Sequence, residues 1–212
     1  HVLYPALILD KVLRAEVLRD LSVVVWAITV GFVVIVIGLM VALLVGRMIG
    51  LRKGTGWRSF TLTAGVQNYG YVAIPLLMVF FPENETAVLG VLFTHSLGVE
   101  LGIWTLGMFI LRGKPMKSPR EFISGPIVAV VVGLLLVLAR VDTLVEHSEL
   151  VALGFDIFLN LLHWLGLAAF PVGLLLIGTV ISDFLGKEPY CFRVGVGSII
   201  VRMIVMPMVI LS

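Results

Sequence analysis

Six long apolar runs constrain this chain more than any other feature: residues 22–46, 58–81, 86–111, 123–140, 164–182 and 193–212, preceded by a shorter run at 2–13. A helix needs about 20 apolar residues to cross a hydrocarbon core of roughly 30 Å. The expected fold class is therefore an all-α polytopic membrane protein with six spans and an opening half-span. Composition agrees, at 60% hydrophobic and 13% charged with a mean hydropathy of +1.14, against about 45–50% apolar and about 25% charged in soluble domains. The net charge of +2 offers no basic field for nucleic acid. The single cysteine, Cys191, excludes an internal disulfide framework and a multi-cysteine metal site.

The few charges sort by connector. Arg47, Arg52, Lys53 and Arg58 lie in one and Arg112, Lys114, Lys117 and Arg120 in another, whereas Glu83 and Glu85, then Asp142, Glu146, Glu149 and Asp156, fill those between. The positive-inside rule makes the basic loops 47–58 and 112–121 cytoplasmic and puts the turn 82–86 and the stretch 140–156 outside. Arg14 and Arg19 are the weak point of this orientation, because only Glu16 and Asp20 offset them. The chain opens at His1 without an initiator Met or a signal-peptide pattern and stops inside an apolar stretch at Ser212, so a piece of a longer protein is expected. Asn84-Glu85-Thr86 matches a glycosylation sequon but reads as a helix-capping turn. Asp156, Asn160 and His163 recur at helical spacing opposite Phe155, Leu159, Leu162 and Gly166, the pattern of a short amphipathic surface helix leading into the next span.

Run 58–81 is interrupted at its centre by Gln67-Asn68-Tyr69-Gly70-Tyr71-Val72-Ala73-Ile74-Pro75. Pro75 lacks a backbone donor and Gly70 lowers helix stability, so the backbone is expected to open around 68–74. Open backbone at mid-membrane depth is tolerated only when buried in protein or lining a watery cavity. The half-helix it leaves presents free N–H groups and a partial positive charge to an anion.

The following run carries Thr94, His95, Ser96 and Glu100 at its centre. A charge at that depth costs about 2.5–3.5 kcal/mol on insertion scales and defaults to a functional hypothesis with a named partner. Glu100 shares a face with Ser96 and Trp104, and Arg202 is the one full cation at comparable depth, so an ion pair between Glu100 and Arg202 is expected. His95 shares a face with Gly98 and Gly102, a small-residue pair that admits another helix backbone. Asp10 and Lys11, near the end of the opening half-span, are expected to snorkel to the interface.

Leu3-Tyr4-Pro5-Ala6-Leu7-Ile8-Leu9 is echoed by Ala169-Phe170-Pro171-Val172-Gly173-Leu174-Leu175 in a span of opposite direction, as an inverted repeat requires. Pro5 to Pro75 spans 70 residues, which places a second broken helix roughly around residue 240 if the halves match.

Gln67-Asn68-Tyr69-Gly70-Tyr71-Val72-Ala73-Ile74-Pro75-Leu76, then Val91-Leu92-Phe93 and Leu101-Gly102-Ile103-Trp104-Thr105-Leu106-Gly107, resemble the auxin efflux carrier (PIN-formed-like) family. Ala168-Ala169-Phe170-Pro171-Val172-Gly173-Leu174-Leu175-Leu176-Ile177-Gly178 is similar to its seventh helix. The resemblance implies a fragment of a ten-helix, five-plus-five inverted-repeat carrier with crossing broken helices. Residues 1–111 would be part of the first repeat, 112–122 a cytoplasmic linker and 123–212 part of the second.

It further implies elevator-type export or exchange of small organic anions, auxin-like or dicarboxylate, at a plasma (inner) membrane. Gln67, Asn68, Gly70, Tyr71 and Pro75 would form the crossing site, with Thr94, His95 and Ser96 lining it and Glu100 and Arg202 serving coupling or ion pairing. The short loop Arg112–Glu121 departs from the long regulatory loop of many plant members. The partners implied are a small organic anion and the lipid bilayer, with a homodimer as one open assembly; no cofactor, metal or nucleic acid is implied. A sodium-coupled symporter of the bile acid type is the nearest alternative, disfavoured because the deep acids reduce to Glu100. A carrier-fold membrane sensor is another. No enzyme is expected: an intramembrane protease needs two mid-span aspartates or a His-Glu-x-x-His, and neither occurs. A retinal protein needs a mid-span lysine, whereas Lys11 lies near an end.

Overall fold

The computed structural model describes residues 2–52, 56–67, 70, 72–114, 123–145, 148–184 and 192–211. These are mostly helical, with no strand among them, and four helices are long and apolar enough to cross a membrane. α1 (Leu3–Arg14) leads through a 3-10 turn, Glu16–Arg19, into α2 (Leu21–Met48). The broken span is α3 (Trp57–Gly65) and α4 (Ala73–Phe80). A 3-10 turn, Pro82–Asn84, opens α5 (Glu85–Gly102), which continues through a π turn, Ile103–Gly107, into α6 (Met108–Arg112). Then come α7 (Gly125–Leu138), α8 (Val141–Val145), α9 (Glu149–Phe184) and α10 (Phe192–Ile200), the last continuing through a second π turn, Val201–Val205, into α11 (Met206–Leu211).

Each end of α2 has a visible cause. The Asp20 carboxylate accepts from the Ser22 N–H at 2.8 Å, an N-cap. At the other end Gly50, at φ +81°, lets Leu51 N–H bond Gly46 O at 2.9 Å and Gly50 N–H bond Arg47 O at 3.1 Å, the two bonds of a Schellman motif. Between the caps lie 28 residues, about 42 Å of helix at 1.5 Å per residue. Val25, Trp26, Val33, Met40 and Leu44 on its outer side stay exposed, the face such a helix turns to lipid.

Apolar chains gain little from leaving lipid for a protein interior, so helices in a membrane associate through close packing. Small residues supply it here. A Cβ on Gly98 would lie 1.9 Å from Ile28 O and 2.7 Å from Phe32 N, and one on Gly31 would lie 2.1 Å from His95 O. α2 and α5 therefore touch backbone to backbone, on the α5 face that carries Gly98 and Gly102. Gly38 and Gly65 bring α2 and α3 together in the same way, a Cβ on Gly38 falling 2.3 Å from Gly65 O.

Two helix groups result. α1 packs on α7 and α9, and α2 packs on α3 with the continuous α10–α11 run beside them; α5 lies between, against both α1 and α2. α1 and α9 run antiparallel: Asp10 meets His163, Leu7 meets Gly166, and Tyr4 and Pro5 share a cavity with Ala169, Val172 and Gly173. The two proline-centred segments paired by the sequence echo thus come to one place.

Two expectations change. The amphipathic segment 155–166 is not a separate surface helix: α9 runs unbroken over 36 residues, with Pro171 inside it. Nothing between Phe155 and Phe170 breaks a helix strongly, Gly166 being an isolated glycine against Leu7. Asp10 and Lys11 do not snorkel; at 1% and 8% exposure they are buried, because partners from α5 and α9 reach them. The linker 112–122 lies mostly outside the described residues.

Candidate functional site

The interruption of the broken span is real and lies near the middle of the helix packed against it. α3 ends at Gly65, whose neighbour Gly38 lies only a few residues from the centre of α2. Val66 turns to extended backbone, φ −82° and ψ 120°, and helix resumes at Ala73. Pro75 sits in the first turn of α4, where an N–H has no partner within the helix in any case. Proline therefore begins the second half-helix here and removes no hydrogen bond from it. Gly70 O accepts from Ile74 N–H at 3.0 Å, and a Cβ on Gly70 would come within 3.3 Å of the Tyr4 hydroxyl. The break thus abuts the start of α1. Asn68 and Tyr71, singled out with it, lie outside the described residues.

Arg202, projecting from the π turn after α10, donates through Nη2 to the Val66 carbonyl. A cation is a natural partner for the negative end of α3, whose last carbonyls have lost their helical donors. Glu100 accepts from Trp104 Nε1 at 2.9 Å, one turn along its own helix and on the face the spacing predicted. The hydrogen bonds seen for the two charges thus run to Val66 and Trp104.

Among the described residues, three buried side-chain nitrogens have no hydrogen-bond partner: Gln67 Nε2, His95 Nδ1 and Arg202 Nε. All three belong to residues expected at the site from sequence. An unmet buried polar atom costs about 1–3 kcal/mol, a cost that a ligand group bonding to it would remove.

Thr94 and Ser96 behave differently. The Thr94 hydroxyl donates to Gly90 O at 2.9 Å and that of Ser96 to Phe93 O at 2.6 Å, so both spend their donors on α5 itself. Thr94 belongs to the face that meets α1, where Gly90 approaches Ala15, while the His95 backbone carbonyl lies against Gly31 of α2. The two residues are neighbours in sequence, about 100° apart around the helix.

A second polar constellation went unread in the sequence. Asp10 accepts from Arg14 Nε at 2.8 Å, lies 3.8 Å from Lys11 Nζ and contacts His163 Nδ1 at 3.2 Å; Lys11 in turn donates to Glu85 at 2.7 Å. These groups join α1, α5 and α9. Asp10, Lys11, Glu85 and His163 line a cavity of about 320 Å³, walled elsewhere by apolar residues such as Met78 and Phe170. The Asp10–Arg14 spacing of four was its one signal in the sequence; Glu85 and His163 lie 74 and 153 residues from their partners. Close by, Arg19 pairs with Asp142 and ties the turn after α1 to α8.

No His, Cys, Asp or Glu grouping among the described residues suits a metal ion. Comparison of the chain with family models, curated proteins and solved structures gave no match.

Proposed function

We propose that this chain is the greater part of a secondary membrane transporter that binds small organic anions at the break between α3 and α4 and moves them by elevator-type alternating access. The observation that carries this reading is the pair of unmet nitrogens on Gln67 and Arg202 beside the open backbone at Val66, with His95 Nδ1 a third unmet nitrogen on α5. Such donors suit a carboxylate, which accepts up to four hydrogen bonds and carries the opposite charge to Arg202. The first N–H groups of α4 add a partial positive charge.

Alternating access needs two bodies that can slide. The group α1, α7 and α9 would form one and the group α2, α3, α10 and α11 the other, with the α5 contacts between them. The antiparallel contact of Tyr4-Pro5 with Ala169-Val172-Gly173 supports a five-plus-five inverted repeat of the auxin efflux carrier type. Plasma-membrane residence with cytoplasmic basic loops belongs to the same reading. Glu100 and His95 are candidates for coupling a proton to transport.

The test is transport by the full-length protein in proteoliposomes, using labelled indole-3-acetate and a C4 dicarboxylate. Asn68→Ala and Gln67→Ala are each expected to abolish saturable flux while the protein still inserts and folds. Unchanged flux in both would reject this site. If His95→Gln and Glu100→Gln leave the pH dependence of flux intact, coupling through those two groups is wrong.

A further inference from the structure

The cluster around Asp10 is more than a structural tie. Asp10, buried to 1% exposure, accepts from Arg14 on Oδ1, while Lys11 Nζ and His163 Nδ1 both approach Oδ2, at 3.8 and 3.2 Å. A carboxylate between two cations can only accept, so the His163 contact requires the hydrogen on Nδ1. Nε2 of the same ring then carries a lone pair. His163 is 42% exposed in its side chain and lines the 320 Å³ cavity, so that lone pair is open to a proton from water.

We propose that His163 and Asp10 form a proton-binding site opening on this cavity, and that the proton taken up there tightens the Lys11–Glu85 ion pair between α1 and α5. A hydronium ion gives its proton to Nε2 and leaves as water. The ring becomes an imidazolium whose Nδ1–H still bonds Oδ2, now as a charge-assisted bond. Two cations then compete for one carboxylate oxygen. Lys11 has a second partner, Glu85 Oε1 at 2.7 Å, and repulsion from the new charge shifts it that way.

The other charged groups facing the ring are few. α1 supplies Asp10, Lys11 and Arg14, the turn before α5 supplies Glu83, the first residue of α5 is Glu85, and α7 has no charged residue between Gly125 and Leu138. On α9 itself the nearest is Asp156, two turns back, while Trp164 packs edge-on at 6.2 Å. Among the residues lining the cavity, the carboxylates Asp10, Glu83 and Glu85 outnumber the one cation, Lys11. The site stands whether or not the chain carries an organic anion.

The test is nitrogen NMR of histidine-labelled protein in nanodiscs, since the two ring nitrogens report tautomer and charge separately. The signal lost in His163→Gln identifies the residue; that side chain is exposed enough for the variant to fold. At high pH the ring should carry its hydrogen on Nδ1, and on acidification it should become doubly protonated. A ring that carries its hydrogen on Nε2, or that does not titrate between about pH 4 and pH 9, overturns the proposal.

Asp10→Asn should weaken proton binding about tenfold, a shift of about one pH unit. Because that variant removes a buried charge and can misfold, Glu85→Gln provides the second reading. Freed of Glu85, Lys11 moves toward Asp10 and competes with the imidazolium, so the midpoint should fall by about half a pH unit, roughly threefold in affinity. An unchanged midpoint in Glu85→Gln would overturn the link to α5.

Discussion

The two polar regions of this molecule have opposite electrostatic states. Around Asp10 every charge has a partner: carboxylates and cations alternate from Arg14 through Asp10 and Lys11 to Glu85, and the groups come from three helices. At the break, the side chains are mostly uncharged, the one full cation spends a nitrogen on a backbone carbonyl, and two buried nitrogens, Gln67 Nε2 and Arg202 Nε, are unmet. Satisfied groups hold a structure together, and unsatisfied ones have binding free energy still to release. Stability should therefore concentrate in the first region and ligand recognition in the second.

The largest effect expected is at Asp10. Removing one partner from a buried ion cluster leaves the others uncompensated and costs about 3–5 kcal/mol. Asp10→Ala should accordingly show the greatest drop in apparent Tm in detergent, and a drop no larger than that of an exposed control such as Asp183→Ala would break the contrast.

Next comes the packing that both regions depend on. In Gly98→Ala the new methyl meets backbone of α2, which cannot rotate away, and overpacking of this kind costs about 1–3 kcal/mol. Gly154→Ala, where a Cβ meets nothing within 4 Å, should be neutral or slightly stabilising. The pair can be compared by fluorescence-detected size exclusion after heating; equal behaviour would show that α2 and α5 can separate freely.

At the break the sign should reverse. Gln67→Leu removes a buried amide nitrogen that has no partner, so Tm should hold or rise by an amount worth about 1 kcal/mol while saturable transport is lost. A Tm loss as large as that of Asp10→Ala would mean that Gln67 is structural.

The smallest effect lies outside both regions. The Ser22 hydroxyl and N–H hold the Asp20 carboxyl below its ordinary value. A carboxyl lowered by folding adds stability that is fully present above its unfolded pKa, near 3.8, and is lost as pH falls through the folded value. Helix loss on acidification, followed by circular dichroism, should therefore be slightly steeper in the native chain than in Asp20→Asn, which caps without titrating.

How much of this was legible in the sequence depends on whether the signal was local. The break was legible because Gly70 and Pro75 act on their own backbone and because a polar run in an apolar span is visible by itself; what changed is that Pro75 opens α4 and interrupts nothing. Gly98 and Gly102 were read correctly as a seat for another helix, since helical spacing sets which residues share a face. Thr94 and Ser96 were not separable from His95, because two of the three hydroxyl or ring groups turn inward onto their own helix and only coordinates reveal that. The length of α9 was missed because polar spacing at 156–163 describes which face is wet and says nothing about where a helix ends.

From its amino acids alone the chain determines a helical membrane architecture, the place where one span opens and which faces can pack closely, all consequences of transfer free energy and backbone sterics acting within some twenty residues. Tertiary structure alone decided that α1 and α9 lie antiparallel, that Arg202 meets Val66, and that Asp10, Glu85 and His163 share one cluster. Charges 74 and 153 residues apart become neighbours only when helices pack, and no local pattern encodes which helix will stand beside which.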